Sequence, residues 1–199
     1  MNGNENRGSS PAAQSGGESA SEDGFDGFTG FSPRNPVKTV IVGSTGRMGA
    51  MLLGRARAAG LTVEGVDVPL TPQVLAPACA GADLAIICVP AAVFREVIAA
   101  VCPHLPPTAV LADITSVKEI PLQQMEAAWA GPVVGTHPLF GPQPDPEADQ
   151  PVAIVPGANA GQEHVELASG FFTALGCRVF GSTAEKHDKA MARIQNMNF

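Results

Sequence analysis

No apolar run in this 199-residue chain reaches the ~18–20 residues that a membrane-spanning helix needs. No Lys/Arg cluster interrupts it either. Twelve basic residues stand against 19 acidic ones, a formal charge of -7 and a pI of about 5.0, which is the wrong balance for a nucleic-acid surface. The polar, acidic N-terminus has no apolar core of its own, so it does not read as a secretory signal, and a cytoplasmic chain is expected. The four cysteines, Cys79, Cys88, Cys102 and Cys177, form no C-x-x-C pair and have no second ligand at zinc-like spacing. They read as reduced thiols, with Cys88 a small hydrophobe inside an apolar strand. No metal site and no solenoid-type repeat is expected. Hydrophobic residues make up 45% of the chain, enough for one domain with a core and too little for two large ones.

Residues 1–35 are rich in Gly, Ser, Asn, Asp and Glu. They cannot bury enough apolar surface to offset chain entropy, so a disordered tail is expected there. Phe25, Phe28 and Phe31 fall within it and read as occasional contacts of that tail.

From residue 36 to 182 short apolar runs alternate with helical patterns. The runs are Val37–Val42, Leu61–Asp67, Asp83–Val89, Ala109–Asp113, Pro132–Thr136, Val152–Val155 and Cys177–Phe180. The helical stretches are a segment through Met51, Leu52, Leu53 and Ala56 to Gly60, then Ala92–Val101, Lys118–Trp129 and about Gln162–Leu175. This alternation predicts an α/β fold, Rossmann-like and doubly wound around a mainly parallel sheet. Ala184–Phe199 predicts one more helix, with Met191, Ile194 and Met197 at three-residue spacing and no cap signal at its end. It reads as the opening of a further, all-helical domain over 183–199.

The first strand runs into Gly43-Ser44-Thr45-Gly46-Arg47-Met48-Gly49, a G-x-x-G-x-x-G variant of the dinucleotide fingerprint. Gly43 allows a tight turn, Gly46 lets the backbone approach a pyrophosphate, and Gly49 permits close packing of helix on strand. The helix start then offers free N–H groups and partial positive charge to the phosphates. Alone the motif is weak, but here it follows a strand and opens a helix, as the function requires. Asp67 closes the second strand, where a carboxylate would accept hydrogen bonds from the adenosine ribose and repel an extra phosphate. Val68 follows it, so no arginine waits there; Arg47 is the one cation that could reach a phosphate. NAD is therefore expected in preference to NADP. Val89 and Pro90, at the end of the third strand, complete the expected cofactor site.

Two further loops leave strand ends on the same edge, where open parallel sheets bind ligands. One is Asp113-Ile114-Thr115-Ser116-Val117-Lys118 and the other Thr136-His137-Pro138. A neutral His137 could accept the proton of a substrate hydroxyl while hydride leaves the same carbon, a contribution of typically ~10²–10⁴-fold. Ser116 could hydrogen-bond that hydroxyl or orient the ring, and Pro138 stiffens the loop. Asp113 could hold its loop by accepting N–H bonds, and Lys118 would open a helix. For His187 and Asp188 a place lining a cleft and a capping or hinge role weigh about equally. His104 and His164 read as surface residues.

These residues together resemble the prephenate dehydrogenase family, which includes arogenate dehydrogenases. The resemblance runs from Val37 to Phe199 and rests on Gly43–Gly49, on Asp113–Lys118 with its Ser-Val-Lys, on His137-Pro138-Leu139-Phe140-Gly141-Pro142, and on His187-Asp188 near a helix start. It implies NAD-dependent oxidative decarboxylation of prephenate to 4-hydroxyphenylpyruvate on the route to tyrosine, or the matching reaction of arogenate. It also implies a homodimer built through a further helical domain, and a polar substrate-facing residue at Gln195. Ser116 and His137 would be the catalytic, substrate-binding pair. Two other readings stay open: a Rossmann dehydrogenase of the β-hydroxyacid or imine reductase type using Lys186 or Lys189, and a non-catalytic NAD-binding module.

Overall fold

The computed structural model describes Met1, residues 38–145 and residues 147–197, the side chains of 195–197 excepted. The expected tail with its three phenylalanines, and Phe199, lie outside the described residues.

Seven strands form one sheet: β1 (Thr39–Val42), β2 (Val63–Val66), β3 (Leu84–Ile87), β4 (Val110–Asp113), β5 (Val133–Pro138), β6 (Pro151–Pro156) and β7 (Arg178–Gly181). Among the described residues six α-helices accompany them: α1 (Arg47–Ala58), α2 (Pro72–Cys79), α3 (Ala91–Val101), α4 (Glu119–Ala128), α5 (Gln162–Ala174) and α6 (Ala184–Met197). The strand order is β2-β1-β3-β4-β5-β6-β7. Every neighbouring pair is parallel except β5–β6, which is antiparallel. The expected Rossmann-like α/β fold is thus present.

The apolar runs are continuous because the sheet is covered on both faces. Along β1, Val40 and Val42 point into the layer made with α2, α3 and α4, while Ile41 points into the layer made with α1 and α5. The same alternation separates Ala85 and Ile87 from Leu84 and Ile86, and Leu111 from Val110 and Ala112. At ~25 cal/mol per Å² of apolar surface removed from water, each buried valine, leucine or isoleucine among these contributes roughly 1.5–3 kcal/mol, which holds strands and helices in one register.

Three features depart from the pattern reading. The helix α2 was not expected, since two prolines fall inside its eight residues. Pro72 sits at the first turn, where its missing N–H costs nothing, and Lys38 Nζ donates to the Ala80 carbonyl at the far end (2.9 Å). The second strand is only Val63–Val66, so Asp67 stands just past it. The fifth strand continues two residues beyond Thr136, because β6 runs antiparallel beside it and pairs His137 with Ala153 and Pro138 with Val152. His137 is therefore fixed on a strand rather than carried by a free loop.

The chain leaves β1 toward β2 on one side and returns to β3 on the other. That reversal opens a crevice beyond the carboxyl ends of β1 and β3, the place where open α/β sheets take ligands. The carboxyl ends of β4 and β5 lie on the same edge, so Asp113 and His137 belong to the same side of the molecule as Gly43 and Val89.

Candidate active site

A cleft of about 490 Å³ fills the crevice and is lined by Gly43, Thr45, Gly46, Asp67, Val89 and Pro90 together with apolar side chains of α3. Gly43 has φ +85°, a left-handed conformation that side chains rarely adopt, and a Cβ there would drive into the Cys88 carbonyl and lie 2.9 Å from Val89 Cγ1. A Cβ on Gly49 would strike the Gly43 carbonyl, so α1 packs closely against the turn only because Gly49 is bare. The N-cap of α1 is Gly46, and no side chain caps it, so the first N–H groups of the helix stay available to an anion. These features fit a pyrophosphate.

Asp67 reaches over this turn. Its Oδ2 accepts the Thr45 backbone N–H (2.8 Å) and the Thr45 hydroxyl (2.6 Å), and Oδ1 accepts the Val68 N–H (2.8 Å). The Thr45 hydroxyl bond, with the two N–H bonds, holds the carboxyl below its ordinary value despite some burial. An ionised carboxylate with lone pairs to spare is thereby aimed at the cleft. Ser44 turns the other way and packs against Gly65 of β2. Arg47 is exposed and Met48 half-buried on the first turn of α1, and neither lines the cleft.

The second cluster lies at the ends of β4 and β5. Lys118 is completely buried. Its Nζ donates to Asp113 Oδ2 (2.6 Å) and to the Thr136 carbonyl (2.6 Å). Asp113 also accepts the N–H groups of Thr115 (2.9 Å) and Thr136 (3.3 Å), so it does hold its loop as expected. Burial pulls the Lys118 ammonium below its ordinary value, with Asp113 and more distant Asp188 pulling back. The reading of Lys118 as merely opening a helix missed this role. No local signal marks it, because the burial depends on two strands meeting.

His137 is half-buried. Burial, then the neighbouring His187 and Lys118, lowers its pKa to about 4, so the ring is neutral at physiological pH. Its Nδ1 lies 3.0 Å from Nε2 of His187, and His187 Nδ1 lies 2.7 Å from Asp188 Oδ1. The hydrogen bonds of the described residues leave Nε2 of His137 free. His187 is buried at 4% exposure on α6, whose start is capped by the Thr183 hydroxyl accepting the Lys186 N–H (3.2 Å). Ser116 is exposed on the loop after β4, and among the described residues it makes no hydrogen bond to His137. Gln195 lies on α6, with its side chain outside the described residues. His164 accepts the Gly161 N–H through Nδ1 (2.9 Å) and caps α5. Among the described residues no group of His, Cys, Asp or Glu is placed to hold a metal ion, and no helix is long and apolar enough to cross a membrane.

A doubly wound sheet with a glycine turn, an uncapped helix start and a carboxylate beyond β2 is the build of a nucleotide-binding domain of the dehydrogenase type. The family model for the prephenate dehydrogenase nucleotide-binding domain matches residues 47–181. The chain belongs to the prephenate dehydrogenase family. It is 37% identical over 156 residues to a T-protein of Enterobacter agglomerans, covering 78% of this chain and 41% of that protein. A probable arogenate/prephenate dehydrogenase of Methanocaldococcus jannaschii is 35% identical over 118 residues, 58% of this chain and 26% of that one. The crystal structure of prephenate dehydrogenase from Aquifex aeolicus, in complex with hydroxyphenyl propionate and NAD+, superposes with a TM-score of 0.61 at 20% identity, covering 80% of this chain and 63% of that one. The chain thus spans about two fifths of the T-protein's length.

Proposed function

We propose that this chain is the nucleotide-binding and proton-accepting part of an NAD-dependent prephenate dehydrogenase, acting in the cytoplasm on the route to tyrosine. The observation that carries the reading is a neutral histidine, with its outer nitrogen free, on the same sheet edge as a dinucleotide cleft.

Gly43, Gly46 and the first turn of α1 would hold the pyrophosphate, and Asp67 would accept the ribose hydroxyls. The charge on Asp67 favours NAD over NADP. NAD, when bound, supplies the hydride acceptor. His137 Nε2 withdraws the proton of the substrate's ring hydroxyl as hydride leaves the same carbon. Loss of carbon dioxide then makes the ring aromatic, so positioning and proton removal are the main tasks left to the protein. Ser116, exposed beside this edge, would hydrogen-bond the same hydroxyl. Gln195, on α6, would face the substrate, and α6 would begin the helical domain through which the family forms its dimer.

The test is product analysis of the chain incubated with NAD and prephenate, with arogenate in parallel. Formation of 4-hydroxyphenylpyruvate from prephenate supports the proposal. Tyrosine from arogenate with prephenate untouched would replace prephenate by arogenate. Tight NAD binding with neither product would favour a non-catalytic binding module.

A further inference from the structure

The reaction as proposed uses neither His187 nor Asp188, yet both are wired to its base. We propose that Asp188 and His187 are positioning residues that lock His137 in the Nδ1–H tautomer, so that Nε2 keeps the bare lone pair a general base needs. The inference rests on His137 being that base.

Both oxygens of Asp188 already accept backbone N–H groups: Lys118 N–H on Oδ1 (2.7 Å) and Glu119 N–H on Oδ2 (3.0 Å). Burial pushes this carboxyl up, but the N–H groups of Glu119 and Lys118 and the His187 contact together hold it below its ordinary value, so the group is an ionised acceptor. His187 Nδ1, 2.7 Å away on Oδ1, must then carry the hydrogen of that contact. A neutral imidazole with a proton on Nδ1 has a bare Nε2. That Nε2 faces His137 Nδ1 at 3.0 Å, and the rings stand at 73° to each other in a T-shaped rather than stacked arrangement. With both rings neutral, the His137 nitrogen is the donor and its own Nε2 is bare.

The opposite order, Nε2–H on His187 and Nδ1 bare on His137, would leave His137 with N–H pointing outward, unable to accept. It would also set a donor-less His187 nitrogen against a carboxylate. The same contacts offer the proton a second stop. As a substrate O–H breaks and N–H forms at His137 Nε2, the Nδ1–H bond can break and reform at His187 Nε2. No electrons change hands in that transfer. The charged groups around the pair are Lys118 with its partner Asp113, and Asp188. The second stop places the positive charge on the ring that Asp188 holds. Asp188 also ties α6 to the start of α4, so the tautomer depends on α6 being docked.

The tautomer is read directly from imidazole ¹⁵N shifts and two-bond couplings of the full chain labelled at histidine, without substrate. The expected result is Nδ1–H on His137 in the unmodified chain and loss of that preference in His187→Leu. Asp188→Ala, which leaves His187 itself in place, should loosen the preference too, so the outcome does not hang on one variant folding. With prephenate and NAD, both variants should lose about tenfold or more in kcat while KM for NAD stays put. An Nε2–H tautomer in the unmodified chain would overturn the proposal, and so would an unchanged Nδ1–H tautomer in a folded His187→Leu. Absence of turnover in the unmodified chain would count against the proposed reaction alone, since the tautomer is measured independently of it.

Discussion

Replacing Lys118 by methionine removes a cation from a place where water does not reach. Lys118 and Asp113 side chains are both 0% exposed, with 2.6 Å between Nζ and Oδ2. Methionine fills most of the volume of the lysine stem, so little cavity is left and the loss is mainly electrostatic. Asp113 keeps the N–H groups of Thr115 and Thr136, but its charge is then uncompensated in the interior. The Thr136 carbonyl loses its Nζ donor as well. Breaking one side of a buried pair costs about 3–5 kcal/mol. With a urea slope of about 2 kcal/mol per M, the unfolding midpoint should drop by roughly 1.5–2.5 M. Pairing the change with Asp113→Asn should recover about 1–3 kcal/mol relative to the sum of the two single losses, because neither charge is then stranded. A single-variant loss below about 1 kcal/mol, or strictly additive losses, would refute the reasoning.

Asp67→Ala should narrow the preference for NAD over NADP by about tenfold or more, measured by calorimetric titration with each cofactor, because both the ribose acceptor and the charge that repels a phosphate go. Gly43→Ala should weaken NAD binding and lower the melting temperature together, since its φ of +85° and the Cys88 carbonyl leave no room for a methyl group. The His137 ring, with its pKa lowered to about 4 in the fold, should remain neutral in proton NMR well below the usual histidine value of about 6.5. The unfolded chain therefore binds more protons between those two values, so stability should fall as pH drops from about 6.5 toward 4, and fall less in His137→Phe. An ordinary titration of the ring near 6.5 would sink that expectation.

Much of this was legible in the amino-acid order, and the exceptions have physical causes. The buried strands read plainly because both faces of the sheet are covered, which turns Val40-Ile41-Val42 and Leu84–Ile87 into unbroken apolar runs. The glycine turn read plainly because the left-handed turn at Gly43 and the close approach of Gly49 to the Gly43 carbonyl lie within seven residues of sequence. The helix α2 was hidden by Pro72 and Pro77, residues that argue against a helix unless one sits in the first turn and the end is capped from elsewhere. The extension of β5 through His137 could not be read, because it is imposed by β6 running antiparallel alongside. Lys118 has the local look of a surface residue in a polar loop. Only the meeting of Asp113 and Thr136 makes a buried site for its ammonium. His187 was balanced between a cap and a cleft residue because its contact with His137 spans 50 positions of sequence.

The central claim is that His137, held neutral on the cofactor edge of the sheet, is the base of an NAD-linked oxidation. The most direct measurement is the rate of NADH formation from prephenate and NAD by the unmodified chain and by His137→Asn, with NAD affinity measured on both. The account predicts turnover in the former, a fall of about 10²-fold or more in the latter, and equal affinity for NAD. A variant that binds NAD equally and turns over at an undiminished rate would contradict it.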